Sequence, residues 1–128
     1  MTGPLAGQRI LVVEDEMLVL ANIEMTLGDL GCSTFWTAAS VSQAITLITE
    51  CDFDAAILDV NLAGEKSYPV ADALAERGIP FAFSTACGGH GGRTDLENRP
   101  VLRKPYMRAG LEAVLTDLLA GTAVPTGI

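Results

Sequence analysis

The sequence predicts an α/β domain built on one parallel, doubly wound sheet of five short strands, with helices on both faces. Three observations carry that prediction. Short apolar runs, several of them β-branched, alternate with stretches whose apolar residues recur every three or four positions. Glycine or proline stands at several of the junctions. The chain has 128 residues, 49% of them hydrophobic, which fits one domain with a sizeable core.

The elements follow in order. Arg9 to Val13 (RILVV) is the first strand. Glu16 to Leu30 is the first helix, because Val19, Ile23, Leu27 and Leu30 fall on one face and Gly31 stands where a C-terminal glycine belongs. Cys32 to Thr37 is the second strand, with Trp36 expected to cover a sheet edge or a helix contact. Ser40 caps the second helix, Gln43 completes a capping box, and Val41, Ala44, Ile45 and Ile48 form the inner side. Ala55 to Leu58 (AAIL) is the third strand, apolar throughout and suited to a sheet covered on both faces. Asn61 to Glu65 (NLAGE) reads as a loop.

Val70 to Arg77 is the third helix, with Tyr68-Pro69 near its start and Gly78 near its end. Ile79 to Ser84 is the fourth strand, with Pro80 tolerated near its beginning. Cys87 to Asn98 has glycine at four of its first six positions, so only a short helix after Gly92 is expected, in a mobile segment. Pro100 to Arg103 is the fifth strand. Met107 to Leu119 is the last helix, with Leu111, Val114, Leu115 and Leu118 on one face. Residues 1–8 read as an N-terminal extension, 9–120 as the domain and 121–128 as a tail. Right-handed crossovers then favour the flavodoxin-like strand order 2-1-3-4-5.

Charge and composition narrow the function. Eight basic residues against 16 acidic ones give a net charge of −8, which argues against binding nucleic acid or an anionic membrane. No apolar run is long enough to span a bilayer, and residues 1–7 do not resemble a signal peptide. The three cysteines, Cys32, Cys51 and Cys87, form neither a disulfide framework nor a zinc motif, so a reducing cytoplasm is expected.

In such a fold, ligands bind at the carboxyl ends of the strands. Strand one runs into Glu14-Asp15-Glu16, strand three ends at Asp59, strand four at Ser84-Thr85 and strand five at Lys104-Pro105. The topology gathers Glu14, Asp15, Asp59, Thr85 and Lys104 in one cleft. Crowded carboxylates call for a cation, and hard oxygens suit Mg²⁺. An aspartate can also act as a nucleophile toward phosphorus, and phosphoryl transfer needs mainly positioning and charge neutralisation, which Mg²⁺ and Lys104 would supply. Thr85 could donate a hydrogen bond to a phosphoryl oxygen.

The same residues carry a family resemblance. LVVEDE (Leu11 to Glu16), ILDVNL (Ile57 to Leu62), FSTA (Phe83 to Ala86) and LRKP (Leu102 to Pro105) resemble, in this order, the receiver domain of two-component response regulators. The resemblance implies a CheY-like fold, Asp59 as phosphoacceptor and Asp15 as a direct Mg²⁺ ligand. It implies Glu14 acting through water, the Asn61 backbone carbonyl as a further ligand, Thr85 as the switch hydroxyl and Lys104 as the phosphate-pairing cation. It also implies a candidate cis bond at Lys104-Pro105. The phosphodonor would be a sensor histidine kinase or a histidine phosphotransfer protein. PFAFSTACG further resembles the Phe-Ala-Thr-Gly pattern of a subgroup of mostly single-domain receivers, with Ser84 in place of Ala and Ala86-Cys87 in place of Gly-aromatic. Val101 stands where many receivers have a switching Tyr or Phe, and its stiff, small side chain suits no swinging-ring relay.

Three functions are therefore weighed. In the first, the chain is a phosphoacceptor rather than a turnover enzyme. It has no output domain and signals through contact with an unknown downstream protein or through phosphorelay, with phosphorylation-dependent dimerisation left open. Its contact surface is expected near Val101, Tyr106 and the Cys87 to Asn98 segment. In the second, it is a haloacid-dehalogenase-like Mg²⁺-dependent phosphatase, against which Asn61 stands where the usual second Asp would be. In the third, it is a degenerate receiver that binds a partner without phosphorylation.

Overall fold

The computed structural model describes residues 5–32, 34–62, 64–85, 101–103 and 108–120. In chain order the elements are β1 (Arg9–Val13), α1 (Met17–Asp29), β2 (Thr34–Ala38), α2 (Val41–Glu50) and β3 (Ala55–Asp59). After them come β4 (Asn61–Leu62), β5 (Glu65–Lys66), α3 (Tyr68–Glu76), β6 (Phe81–Thr85), β7 (Val101–Arg103) and α4 (Arg108–Ala120). The main sheet has the order β2-β1-β3-β6-β7 with every pair parallel. With the small β4–β5 pair set aside, this is the expected 2-1-3-4-5 order.

Side-chain alternation along the strands builds two cores. Leu11, Val13, Ala56, Leu58, Phe81 and Phe83 face α2 and α3, where Ala44, Ile48, Val70, Ala71 and Leu74 cover them. Ile10, Val12, Ala55, Ile57 and Ala82 face the opposite way, against Ile23 and Leu27 of α1 and Leu111, Leu115 and Leu118 of α4. Leu5 joins this second core fully buried, and its N–H donates to the Leu30 carbonyl at 3.1 Å. The helix stripes are those the periodicity anticipates. Val19, Val41, Ile45 and Val114 lie at their half-buried margins.

Local chemistry explains the boundaries. The Ser40 hydroxyl accepts from Gln43 N–H at 3.2 Å, as a cap should. The Gln43 side chain reaches one residue further back than a standard capping box, accepting from Ala39 N–H at 2.9 Å. β2 begins at Thr34 rather than Cys32, because the chain is still leaving the turn at Gly31 (φ 88°). β6 begins at Phe81 rather than Ile79, since Pro80 has no N–H to offer the ladder. α3 begins at Tyr68, two residues before the expected start, because Pro69 is accommodated in its first turn.

One expectation is corrected. Asn61 to Glu65 is not an open loop. Asn61 pairs with Lys66 and Leu62 with Glu65 in a two-residue antiparallel ladder. Gly64, at φ 88°, supplies the left-handed residue that so tight a reversal requires. The helix expected within Cys87 to Asn98, the Lys104-Pro105 bond and the tail 121–128 lie outside the described residues.

Candidate phosphoacceptor and cation site

β1 delivers the first two acidic residues. Glu14 N–H donates to the Ala38 carbonyl at 2.9 Å, so the β1–β2 ladder continues one residue past Val13. That extension buries Glu14 to 1% exposure, while Asp15, the next residue, faces solvent. Glu16 N–H then donates to Glu14 Oε2 at 3.2 Å, which holds the glutamate in place just before α1. Glu16 has no side-chain capping bond of its own.

β3 delivers Asp59 as its last residue, 7% exposed. Asn61 N–H donates to Asp59 Oδ1 at 3.2 Å, and the Ser67 hydroxyl donates to the Asp59 main-chain carbonyl at 2.5 Å. Because β1 and β3 are paired with Val13 opposite Leu58, the two strand ends lie side by side. One carboxylate oxygen each from Glu14, Asp15 and Asp59 lies within 4.8 Å of the others.

The donor set fits a small hard cation. Opposite ligands of Mg²⁺ stand about 4.2 Å apart, twice the ordinary Mg–O distance. The 4.8 Å bound on the carboxylate oxygens slightly exceeds that span, so a single ion would touch some of them directly and meet the rest through the waters that fill its octahedron. Without a cation, the three groups would repel one another in a partly buried setting.

The remaining expected site residues divide. Thr85 ends β6 and stands opposite Arg103 of β7 in register, beside the end of β3, but its side chain lies outside the described residues. Lys104 follows β7 directly and lies outside them, as does Tyr106 of the expected contact surface. Asn61 is brought to the site, two residues beyond Asp59, as the first residue of β4. Trp36 does not take part. It sits half-buried on the edge strand β2 in edge-to-face contact with Phe53, ring centroids 5.3 Å apart.

Three features escaped sequence reasoning. Ser67 reads in the sequence as an ordinary residue ahead of a helix; only the fold turns its hydroxyl toward Asp59. Ser84 stands opposite Asp59 in register, and its buried hydroxyl has no hydrogen-bond partner among the described residues. The outer face of α1 exposes Met17 (80%), Leu18 (87%) and Met25 (68%). That last feature had a signal, since all three lie off the inner stripe of α1.

No helix among the described residues is long and apolar enough to cross a membrane. Comparison with known proteins agrees with the geometry. A family model for the response regulator receiver domain matches residues 10–98. The transcriptional regulatory protein TcrA of Mycobacterium tuberculosis (strain ATCC 25618 / H37Rv) is 35% identical over 88 residues, 67% of this chain and 34% of TcrA. The chain thus spans about a third of that relative's length. The solution structure of SdrG from Sphingomonas melonis Fr1 is similar at 43% identity and a TM-score of 0.77, over 88% of this chain and 96% of SdrG. The receiver domain of sensor histidine kinase PA1611 from Pseudomonas aeruginosa PAO1 was solved with a magnesium ion coordinated in its active-site cleft. It is similar at 27% identity and a TM-score of 0.78, over 90% of this chain and 99% of that one.

Proposed function

The chain belongs to the response regulator receiver domain family, and on that premise we propose that Asp59 accepts a phosphoryl group from a phosphohistidine of a sensor histidine kinase or a histidine phosphotransfer protein. A carboxylate oxygen of Asp59 forms the new P–O bond as the donor's N–P bond breaks, leaving an aspartyl phosphate and a free imidazole. Asp15, Asp59 and the Asn61 carbonyl would hold Mg²⁺ directly, with Glu14 acting through water. The ion supplies charge neutralisation on the phosphoryl oxygens. Thr85 donates to one of those oxygens and Lys104 pairs with another. Signalling follows through protein contact or onward relay in the cytoplasm, and PFAFSTACG supports membership of the Phe-Ala-Thr-Gly subgroup.

The observation that carries this reading is the meeting of three carboxylate oxygens within 4.8 Å around a nearly buried strand-end aspartate. The exposed Met17, Leu18 and Met25 bear on the donor. α1 starts two residues after Asp15, so Met17 and Leu18 stand at the helix end next to the acidic residues, and Met25 extends the apolar surface about two turns further on. This face joins the region near Val101 and Tyr106 as contact surface.

The test is intact-mass measurement after incubation with acetyl phosphate and Mg²⁺. A gain of one phosphoryl group is expected, lost with EDTA and absent in Asp59→Asn. Labelling of Asp59→Asn at the wild-type level overturns the assignment. Repeated turnover of a small phosphomonoester would favour the phosphatase reading instead.

A further inference from the structure

Ser67 occupies the position just ahead of α3, where a serine ordinarily turns its side chain to accept a helix N–H. Here it makes no capping bond. The side chain is fully buried, and its single proton goes eight residues back to the main-chain carbonyl of Asp59, at 2.5 Å. The Ser67 N–H donates to the next carbonyl, that of Val60, at 2.9 Å. Its own carbonyl accepts from Val70 and Ala71 N–H, at 2.9 and 3.1 Å. One residue thereby ties two successive peptide planes, those leading from Asp59 to Asn61, to the first turn of α3. Asn61 N–H is then set to reach Asp59 Oδ1 at 3.2 Å. The short β4–β5 ladder closes the same stretch from the other side.

We propose that Ser67 is a positioning residue for the cation site: its hydroxyl holds the Asp59 main chain, and through it the Asp59 carboxylate and the Asn61 backbone, in a cation-accepting arrangement before any ion arrives. This deepens the phosphoacceptor reading and rests on its ligand assignment. The physical reason is preorganisation. Ligands already fixed need not be ordered when the ion binds, and partners that orient ligands typically matter by a factor of ten or more in affinity. Ser67 touches neither ion nor phosphoryl group.

Ser67→Ala deletes the hydroxyl and keeps the three main-chain hydrogen bonds, while Ser67→Thr restores it. The measurement is the Mg²⁺ dissociation constant of the unphosphorylated full chain, by calorimetry, beside its thermal midpoint and the amide shifts of Val60 and Asn61. Ser67→Ala should bind Mg²⁺ about tenfold more weakly, with both amides shifted in the ion-free protein. Ser67→Thr should stand near wild type. Labelling by acetyl phosphate should slow in Ser67→Ala at low Mg²⁺ and recover when Mg²⁺ is raised. Should Ser67→Ala fail to fold, Ser67→Gly is the second hydroxyl-free variant, judged by the same affinity.

Unchanged Mg²⁺ affinity with a lowered midpoint, or Ser67→Thr binding as weakly as Ser67→Ala, overturns the proposal. A wild type that binds Mg²⁺ but gains no phosphoryl group overturns the phosphoacceptor reading and leaves the Ser67 comparison decisive in itself. A wild type that binds no Mg²⁺ overturns both.

Discussion

At the scale of the residue, burial decides which side chains are reactive. Cys32 is buried beneath the α1–β2 turn, its thiol near the carbonyls of Gln8 and Thr34, and burial pushes its pKa up despite a partly offsetting backbone hydrogen bond with Thr34. The folded state therefore favours the neutral thiol. Because the shift is upward, the stability it contributes is complete below the ordinary thiol pKa and is lost as pH rises through the raised value. The corresponding expectation is kinetic: a thiol reagent at pH 8 should leave Cys32 unlabelled in the native protein and modify it only after denaturation, as peptide mass mapping would show. Native labelling of Cys32 as fast as in urea would contradict it. Glu14, Asp15 and Asp59 were legible in the sequence at this scale, because strand-end position alone brings carboxylates together in this topology. Ser67 was not legible, because nothing local distinguishes a serine that caps its own helix from one that reaches back eight residues.

At the scale of the element, short-range signals were readable and long-range ones were not. The N-terminus of α2 was written in Ser40 and Gln43, three residues apart. Its C-terminus is held by Arg77, at the end of α3. The guanidinium donates to the Ile48 carbonyl and, at 3.4 Å, to that of Thr49, and it pairs with Asp52 at 2.6 Å. A last helical turn exposes carbonyls without intrahelical donors, and a cation there also meets the negative end of the helix dipole. No pattern within α2 announces a partner 29 residues away. The β4–β5 ladder escaped for a different reason: two-residue strands are too short to show a period. Arg77 is partly exposed, so its worth is discounted for solvent. Arg77→Ala should cost about 1–2 kcal/mol in urea unfolding, the loss of charge-assisted bonds to carbonyls. Asp52→Ala should cost less than about 0.5 kcal/mol, because it removes only a surface pair. Equal losses would show that the ion pair, not the cap, holds α2 to α3.

At the scale of the whole molecule, the fold sets two covered sheet faces against one acidic rim. The cores bury Ile10, Val12 and Ile57 on one side and Leu11, Val13 and Leu58 on the other, so strands β1 and β3 are rigid up to the residues that carry the site. That rigidity brings like charges together in a chain whose net charge is already −8. The native state therefore has a repulsion that the unfolded chain relieves, and a bound divalent cation should stabilise folding beyond simple screening. Linkage gives the size: at a hundred times its dissociation constant, a ligand specific for the folded state adds about 2.7 kcal/mol. For a chain of this length, 1 kcal/mol moves the thermal midpoint by roughly 4 °C, so saturating Mg²⁺ should raise it on the order of 10 °C. NaCl at the same ionic strength screens the surface but cannot bridge three oxygens, and should give a small fraction of that rise. Asp59→Asn separates the two effects. It removes one of the repelling charges, so the ion-free variant should melt above ion-free wild type, while its response to Mg²⁺ falls to that of NaCl. If Mg²⁺ and NaCl raise the wild-type midpoint equally, the acidic rim is only a charged surface. If Asp59→Asn melts lower without ions, its carboxylate is held by partners that outweigh the repulsion from Glu14 and Asp15.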